Sequence, residues 1–491
     1  YIRRNTVMEK RKYLEEIERT IQAGPYQDSW ESLCQHVTPK WYKNDKFGIF
    51  IHWGVYSVPA FGNEWYARYV YRKNSPENKF HIKKYGDLNQ FGYKDFIPMF
   101  QAKKYVPDEW AKLFKAAGAR FVMPVAEHHD GFQMYGSQWS PWNAENMGPK
   151  KDVLGELKTA VEKEELKFCT SSHRAEHWWF YNYGNSYPCD VSDPQYQDFY
   201  GPSHGPSHDV NDIYDNPPDQ GFLEDWLVRT CEIVDKYQPK IMFFDWWIQQ
   251  VAFKPYLKKF AAYYYNRAVQ WREEVAIDAK FDAFVHGSVV KDIERGQLSG
   301  ISTDFWQNDT SVANNSWGYT EGNIYKKPES IIQDLVDVVS KNGAFLLNIG
   351  PKADGTIPEE DTNILQEIGK WMKKNGEAIY DTIPWKVFGE GPTLVPEGHF
   401  TDTQHFDFTS EDIRYTAKSN SIYAIVMKWP GDGKVILKEV GRKAGRLRTA
   451  VKRISILGYD IDPLFEYRDC VEIEAHIQAD EYPVVLKLEI L

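Results

Sequence analysis

Cysteine is scarce in this sequence, and the few cysteines are scattered along it. There are five in 491 residues, and no two of them form a Cys-x-x-Cys pair. An odd and widely spaced set argues against both a disulfide scaffold and a zinc framework. Apolar residues make up 42 % of the chain, which is enough for a sizeable hydrophobic core. The cysteines are Cys34, Cys169, Cys189, Cys231 and Cys470.

Long apolar runs and an excess of positive charge are also missing. No stretch approaches the roughly 20 apolar residues that a membrane-spanning helix needs. The formal net charge is −11, and this sign argues against nucleic acid or anionic membranes as partners. The chain begins with Tyr1 rather than Met, which is compatible with removal of an export signal.

Aromatic residues are abundant, at 15 % of the chain with 18 tryptophans. Several lie beside hydrogen-bonding residues, in "NEWYARYVY", "EHWWFYNY" and "FFDWW". Sugars have apolar faces and polar edges, so such mixed surfaces suit carbohydrate binding. Burial of the same rings in a core is the alternative, and composition alone does not separate the two.

Apolar strands alternate with amphipathic helices over the first 385 or so residues. Near-continuous apolar strands are typical of a parallel sheet buried on both faces. A long series of strand–helix units favours a (β/α)8-like TIM barrel. A helix over 8–23 precedes the barrel, and long insertions follow several strands, notably 174–220. The predicted strands are 46–54, 120–129, 166–173, 240–245, 274–280 and 343–351, and 300–309 also belongs to the series.

The composition changes near the Gly- and Pro-rich stretch 385–402, which is typical of a linker. Beyond it the pattern predicts short strands separated by turns, hence a C-terminal antiparallel β-sandwich. The length also favours two domains. We place the barrel with its N-terminal helix at 1–388 and the sandwich at 389–491.

Polar residues recur where the predicted strands end. In a (β/α) barrel this edge carries the functional site. Contact with solvent would also make a single strand end polar, but the whole series interleaved with Trp and Tyr favours a pocket. The residues are His52, His128, His129, Ser172, His173, Asp245, Asp278, Lys280, Asp304, Gln307 and Asn348.

Two carboxylates are candidates for the catalytic groups. Asp245 in "KIMFFDWW" follows four apolar residues and precedes two tryptophans, so its carboxylate is poorly hydrated and must be paired or used. A helix cap or a lysine pair is the alternative. Glu294 lies in "KDIERGQ", predicted as a loop, where neighbouring Arg295 allows a solvated salt bridge instead. Two carboxylates flanking a sugar bond are the minimum equipment of a glycoside hydrolase.

The stretch "AEHHDGF" places two histidines between two acids. A metal site built from His52, His128, His129 and Asp130 is one interpretation. Neighbouring residues on a strand point to opposite faces, so the histidines converge only if the strand ends between them. We favour a clamp for sugar hydroxyls, with Glu127 and Asp130 fixing the imidazole tautomers. We therefore predict no metal and no cofactor.

Four stretches together resemble the α-L-fucosidase family, glycoside hydrolase family 29, over roughly residues 30–385. They are "KFGIFIHWGVYSVPAFGNEWYARYVY", "FVMPVAEHHDGFQMYGS", "KIMFFDWW" and "VVSKNGAFLLNIGPKADGTIPEEDTNILQEIGKWMKKNGEAIYDTIPW". The resemblance implies a retaining exo-glycosidase on a (β/α)8-like barrel, with Asp245 as nucleophile and Glu294 as acid/base. It implies terminal α-L-fucose on oligosaccharides or glycoconjugates as the substrate. It implies substrate binding by His52, Glu64, Trp65, His128, His129 and Trp317, to which we add His173 and Lys280 as predicted substrate-binding residues of this chain.

The sequence also departs from the family pattern. Many relatives have a tyrosine after the third strand, where this chain has Ser172, His173 and Glu176; many have Arg where it has Lys280. These differences leave open a related galacto-configured sugar, or a carbohydrate-binding relative without catalysis. Enzymes of this kind act on external or lysosomal glycans, so we expect an extracellular or periplasmic location. The oligomeric state is left open.

Overall fold

A closed parallel barrel forms the larger part of the molecule in a computed structural model. The structure describes residues 2–205, 212–280, 282–402 and 407–490. The barrel closes because its first strand pairs with both its second strand and its last. Its strands are β1 Phe47–Ile51, β2 Phe121–Glu127, β3 Lys167–Phe168, β4 Thr170–Ser172, β5 Ile241–Phe244, β6 Ala276–Lys280, β7 Val290–Glu294, β8 Trp306–Ser311 and β9 Gly343–Ile349.

The strand sequences explain this arrangement. In β1, β2, β5 and β9 every residue is buried, as expected for strands covered on both faces. The short strands β3 and β4 both pair with β2, and only β4 continues to β5. They are therefore two halves of one barrel strand, which gives eight strand positions and confirms the predicted fold class.

Helices surround the barrel. The first helix ends at Ala23 as predicted, and it packs against the helices Gln220–Tyr237 and Lys254–Trp271. Across the described residues, none of the helices combines the length and apolarity that crossing a bilayer requires. The helices are α1 Ile2–Ala23, α2 Trp30–Leu33, α3 Lys40–Asp45, α4 Tyr66–Tyr69, α5 Pro76–Tyr85, α6 Pro107–Ala116, α7 Val153–Lys163, α8 His177–Phe180, α9 Gln197–Tyr200, α10 Gln220–Tyr237, α11 Lys254–Trp271, α12 Pro328–Ser340 and α13 Glu359–Asn375.

One barrel strand escaped the sequence analysis. The loop predicted for 291–297 is wrong in its first part, because Val290–Glu294 is the strand β7. Its buried face carries Asp292 and Glu294, and Asp292 accepts a hydrogen bond from Gln307 Nε2 at 2.8 Å. A strand that presents carboxylates to the barrel interior lacks the apolar run by which strands are recognised.

The C-terminal part is an antiparallel β-sandwich, as predicted. A five-stranded sheet, in the order β10 (Ile383–Glu390), β11 (Ile413–Lys418), β12 (Ser421–Val426), β17 (Val484–Ile490), β14 (Val451–Ile456), accompanies a three-stranded sheet, in the order β13 (Lys434–Leu437), β16 (Val471–Glu474), β15 (Leu464–Tyr467), around a second apolar cluster. The linker prediction is wrong for 385–390, which lie in β10. The boundary between 388 and 389 stays a prediction.

A buried ion network joins the sandwich to the barrel. Asp337 on α12 lies 2.5 Å from Arg414 Nε on β11 and 2.5 Å from Lys341 Nζ. Burial by itself would raise the pKa of Asp337, but Arg414 and Lys341 outweigh it and hold the pKa below its ordinary value. Two cations thus depend on one carboxylate at the interface.

Replacing this carboxylate should destabilise the protein. Asp337→Asn leaves two buried cations without a counter-ion, so we expect the free energy of unfolding to fall by about 3–5 kcal/mol at pH 7. Because the folded pKa is lowered, the ionised carboxylate stabilises the fold above its unfolded pKa of about 3.9. That contribution disappears as the pH falls through the lower folded value. Denaturant titrations of both proteins from pH 3 to 7 measure the difference.

The matched control is Asp462→Asn. Asp462 pairs with Arg453 at 3.3 Å, but the two side chains are 82 % and 60 % exposed. An ion pair this exposed contributes little, so its loss should leave unfolding unchanged. Equal effects of the two substitutions would show that the interface network does not stabilise the protein.

Candidate active site

The ten side chains predicted as catalytic or substrate-binding all line one cavity of about 470 Å³ at the carboxyl ends of the barrel strands, whereas the other polar residues expected there, Ser172, Asp278, Asp304, Gln307 and Asn348, do not line it. The ten reach it from the ends of β1, β2, β4, β5, β6 and β7 and from two loops. Their roles remain predictions, but their convergence on one cavity is what the strand-end rule requires. They are His52, Glu64, Trp65, His128, His129, His173, Asp245, Lys280, Glu294 and Trp317.

Lys280 lies between the two candidate catalytic carboxylates. Its Nζ is 3.0 Å from Asp245 Oδ1 and 2.7 Å from Glu294 Oε2. These two oxygens can be no farther apart than the sum of the two distances, which is less than about 6 Å. Carboxyl groups about 5–5.5 Å apart are typical of retaining glycosidases, whereas inverting enzymes keep about 6.5–9.5 Å between them.

Asp245 is held as a carboxylate. Burial alone would raise its pKa, but the ammonium of Lys280 and the imidazole of His173 outweigh burial and keep the pKa well below its ordinary value. His173 Nδ1 lies 2.8 Å from Asp245 Oδ2, so that nitrogen carries the proton. The other ring nitrogen lies 2.9 Å from the hydroxyl oxygen of Ser171. The predicted alternative of a lysine pair is also present, but the lysine itself lines the cavity.

Glu294 has the opposite tendency. Burial raises its pKa, Lys280 lowers it, and the neighbouring carboxylates Asp309 and Asp245 raise it again, to about 7 overall. The indole N–H of Trp246 donates to Glu294 Oε2 at 2.5 Å. Glu294 is therefore buried and partnered, and the solvated salt bridge with Arg295 is wrong.

Arg295 points away from the cavity carboxylates. Its guanidinium donates to the carbonyl oxygen of Ala313 at 3.1 Å and approaches Asp402 Oδ2 at 3.3 Å. It also lies over the ring of Trp317, 4.5 Å from the centroid. The two residues are neighbours in sequence, but β7 ends at Glu294 and Arg295 has a left-handed backbone conformation, φ +45°, so the two side chains leave the chain in different directions.

The two histidines of "AEHHDGF" converge because β2 ends at Glu127, immediately before them. His129 Nδ1 lies 2.8 Å from the carbonyl oxygen of His173, which fixes the proton on that nitrogen. The expected tautomer role of the flanking acids is wrong: Glu127 pairs with Arg174, and Asp130 accepts from the hydroxyl of Tyr93. Both acids support the loop instead of the imidazoles.

A second network shapes the opposite wall. Asn348 Oδ1 lies 2.8 Å from His52 Nδ1, while Asn348 Nδ2 donates to the carbonyl oxygen of Trp317 at 2.7 Å. Glu64 Oε2 accepts from the backbone N–H of Trp317 at 2.8 Å. Burial lowers the pKa of His52 well below its ordinary value, so the ring is neutral and its Nε2 can accept a hydrogen bond. Glu64 thus positions the Trp317 loop.

Several lining residues were absent from the predicted set: Glu176, Trp246, Trp247, Asp309 and Phe400. The predicted strand 300–309 contained Asp309, but the strand-end residues singled out there stopped at Gln307, whereas β8 runs on to Ser311. The two tryptophans lie in "FFDWW", and aromatic residues directly after a strand-end carboxylate could have been recognised from the sequence as part of the site. Phe400 lies in the predicted linker and had no signal.

Glu176 is a buried carboxyl group in the cavity wall. Neither of its oxygens has a hydrogen-bonding partner of ordinary geometry among the described residues, and His129 Nε2 lies 3.6 Å from one of them. Burial raises its pKa to about 8, so it is protonated at neutral pH. It can therefore donate a hydrogen bond to a hydroxyl that enters the cavity. Part of the insertion in which it lies, 206–211, is outside the described residues.

Two trios in the described part of the chain come close enough to hold a metal ion: His52, His128 and His173, and His129, His173 and Asp245. His173 belongs to both, but its two ring nitrogens already face Asp245 and Ser171. In the second trio the ammonium of Lys280 also occupies the position next to the carboxylate, where it would repel a cation. The donor set therefore suits hydrogen bonding to hydroxyls better than metal ligation.

The fold and the cavity define a glycosidase. Two adjacent carboxylates with opposite protonation tendencies lie at the carboxyl edge of a TIM barrel, among imidazoles and indoles. More narrowly, the chain belongs to the alpha-L-fucosidase family. The alpha-L-fucosidase family model matches residues 13–377, and the model of the alpha-L-fucosidase C-terminal domain matches residues 405–483. The family resemblance of the sequence motifs is thereby confirmed.

Known proteins agree with this assignment. The chain is 32 % identical over 427 residues to human plasma alpha-L-fucosidase, covering 84 % of this chain and 81 % of that protein. It is 31 % identical over 451 residues to mouse tissue alpha-L-fucosidase, covering 88 % and 86 %. The crystal structure of Thermotoga maritima alpha-fucosidase with a mechanism-based inhibitor superposes with a TM-score of 0.75 at 28 % identity, covering 94 % of this chain and all of that chain.

Removing the shared cation should shift the pH dependence of the site. Lys280→Met takes away the charge that lowers the pKa of both Asp245 and Glu294, so both pKa values rise. We expect both limbs of the pH profile for hydrolysis of an aryl α-L-fucoside to move up by about 1–2 pH units. Lys280→Arg retains the cation and should keep the wild-type profile. A Met variant with unmoved limbs would contradict this electrostatic role.

Proposed function

We propose that this protein is a retaining exo-α-L-fucosidase, with Asp245 as nucleophile and Glu294 as acid/base. The observation that carries the proposal is the bridge by Lys280, which brings an ionised and a protonatable carboxyl group within less than about 6 Å. That separation leaves room for direct attack by one carboxylate and too little for the intervening water of an inverting enzyme.

The proposed substrate is a terminal α-L-fucosyl residue on an oligosaccharide or glycoconjugate. The family membership supports this sugar, and Thermotoga maritima alpha-fucosidase has a structure in complex with fucose, at 28 % identity and a TM-score of 0.73. In this chain, His52, His128 and His129 offer ring nitrogens to the hydroxyls. Phe50 and Trp317 offer an apolar wall, 6.2 Å between ring centroids, which suits the methyl group of fucose.

In the first step, an oxygen of Asp245 attacks the anomeric carbon. A carbon–oxygen bond forms to the enzyme as the glycosidic carbon–oxygen bond breaks, and Glu294 transfers its proton to the departing oxygen. His173 and Lys280 keep Asp245 ionised and oriented before attack. As the negative charge of Asp245 is consumed, Glu294 becomes ionised, so the total charge next to Lys280 does not change.

In the second step, Glu294 acts as the base. It removes a proton from a water molecule, whose oxygen attacks the anomeric carbon and releases Asp245 as a carboxylate. Two inversions return fucose in its original configuration. Lys280 contacts both carboxyl groups, so its ammonium lies next to the negative charge whether Asp245 or Glu294 carries it.

The two carboxylates should respond differently to amide substitution. Asp245→Asn removes the nucleophile and should lower kcat at least about 10⁴-fold on any fucoside. Glu294→Gln should lose far more activity on a fucosyl disaccharide than on a nitrophenyl fucoside, whose leaving group needs little protonation. Initial rates measure both losses of activity. NMR observation of the first-formed anomer tests whether the configuration is retained.

The control for these substitutions is Asp304→Asn. This carboxylate is 60 % exposed and pairs with His286 outside the cavity, so its loss should leave kcat unchanged. Wild-type-like turnover by the Asp245 variant would refute its assignment as nucleophile. A β-configured first product would refute retention.

The activity should decline on the basic side near neutrality. Glu294 must be protonated for the first step, and its pKa is raised to about 7, so kcat/KM should fall as the pH rises through about 7. The acidic limb should lie much lower, because the pKa of Asp245 is held down. In Glu294→Gln the basic limb should vanish from the profile on a nitrophenyl fucoside; if it persists, another group titrates.

A further inference from the structure

The loop between β10 and β11, two paired strands of the sandwich, enters the active site. Residues 397–402, "EGHFTD", run antiparallel to the chain that leaves β7, with Gly398 paired to Gln297. The backbone N–H of Phe400 donates to the carbonyl oxygen of Glu294 at 2.9 Å, and the N–H of Thr401 donates to that of Arg295 at 2.7 Å. The segment is therefore bonded directly to the residue proposed as acid/base.

This attachment is close and well supported. The Asp402 carboxylate accepts from Thr310 Oγ1 at 2.7 Å and from Lys326 Nζ at 2.5 Å. At position 296 any side chain would collide with the segment, because an added Cβ would lie 1.7 Å from the carbonyl oxygen of Gly398. Gly296 thus permits an approach that no other residue would allow.

Phe400 is unusual within this segment. Its φ is +57°, a conformation that bulky side chains rarely adopt, and the flanking hydrogen bonds hold it there. The residue is nevertheless 51 % exposed, so burial in a core does not explain it. The ring lies parallel to that of Trp246, with centroids 5.9 Å apart and an interplanar angle of 22°, and both rings line the cavity.

The two rings lie on the side where the leaving group must be. An acid/base has to reach the glycosidic oxygen, and this oxygen belongs to the departing sugar. Trp246 donates its indole N–H to Oε2 of Glu294. Its ring is therefore one hydrogen bond away from the group that would protonate the glycosidic oxygen. Phe400 extends the same aromatic surface outward from the cavity.

We propose that Phe400 and Trp246 form the binding site for the leaving sugar, a pyranose ring that stacks its apolar C–H face on them. This inference rests on the proposed function, because it takes Glu294 as the acid/base. The chemistry fits: flat rings offer area to the apolar face of a sugar, while its hydroxyls stay in water. The β10–β11 loop of the sandwich thereby takes part in choosing the aglycone.

The test compares a substrate that has a sugar aglycone with one that has none. The substrates are α-L-fucosyl-(1→2)-D-galactose and α-L-fucosyl fluoride, and the quantity is the ratio of their kcat/KM values. Phe400→Ala should lower this ratio about 3- to 10-fold, the range expected for loss of one aromatic stacking contact. Phe400→Trp keeps an aromatic surface and should restore the ratio.

Leu394→Ala is the matched control, since Leu394 lies in the same β10–β11 loop as Phe400, is 84 % exposed and is outside the cavity. It should leave both rates at wild-type values. A Phe400→Ala protein that loses activity equally on both substrates, or on neither, would overturn the proposal. Failure of the wild-type protein to hydrolyse the fluoride would instead refute the proposed function, so the two failures are distinguishable.

Discussion

The contact of one lysine with two buried carboxylates is the interaction on which the site depends. The ammonium of Lys280 stabilises Asp245 as an anion and lies against Glu294, whose pKa burial and neighbouring acids raise. Without this cation, two carboxylates in one buried cavity would repel each other and both would favour protonation. A single positive charge thus allows one group to stay ionised while its neighbour keeps a proton.

The barrel makes this contact possible. The strands β5, β6 and β7 are successive neighbours in the sheet, so their carboxyl ends bring Asp245, Lys280 and Glu294 side by side. The surrounding network then restricts each group: His173 orients the proposed nucleophile, and Trp246 holds the proposed acid/base. The sandwich is joined to the barrel by a buried ion network, and its β10–β11 loop reaches the cavity edge.

Sequence patterns predicted much of this arrangement because the strand-end rule depends only on chain direction and apolar runs. Every parallel strand delivers its following residues to the same edge, so residues far apart in sequence could be assigned to one cavity. The rule failed where a polar residue is buried or where an aromatic residue reaches the cavity from a polar segment. The strand β7 carries buried Asp292 and Glu294 and therefore had no apolar signature, and Phe400 reaches the cavity from a segment whose composition indicates only a linker.

By itself, the sequence determined the class of fold, the family and the identity of ten of the groups that meet at the cavity, since these follow from local patterns and motifs. Only the tertiary structure decided how those groups are charged and oriented. Arg295 adjoins Glu294 in sequence yet points away from the cavity carboxylates, whereas Lys280 comes from another strand and contacts it at 2.7 Å. Protonation depends on burial and on charges within a few ångströms, and these distances exist only in the folded chain.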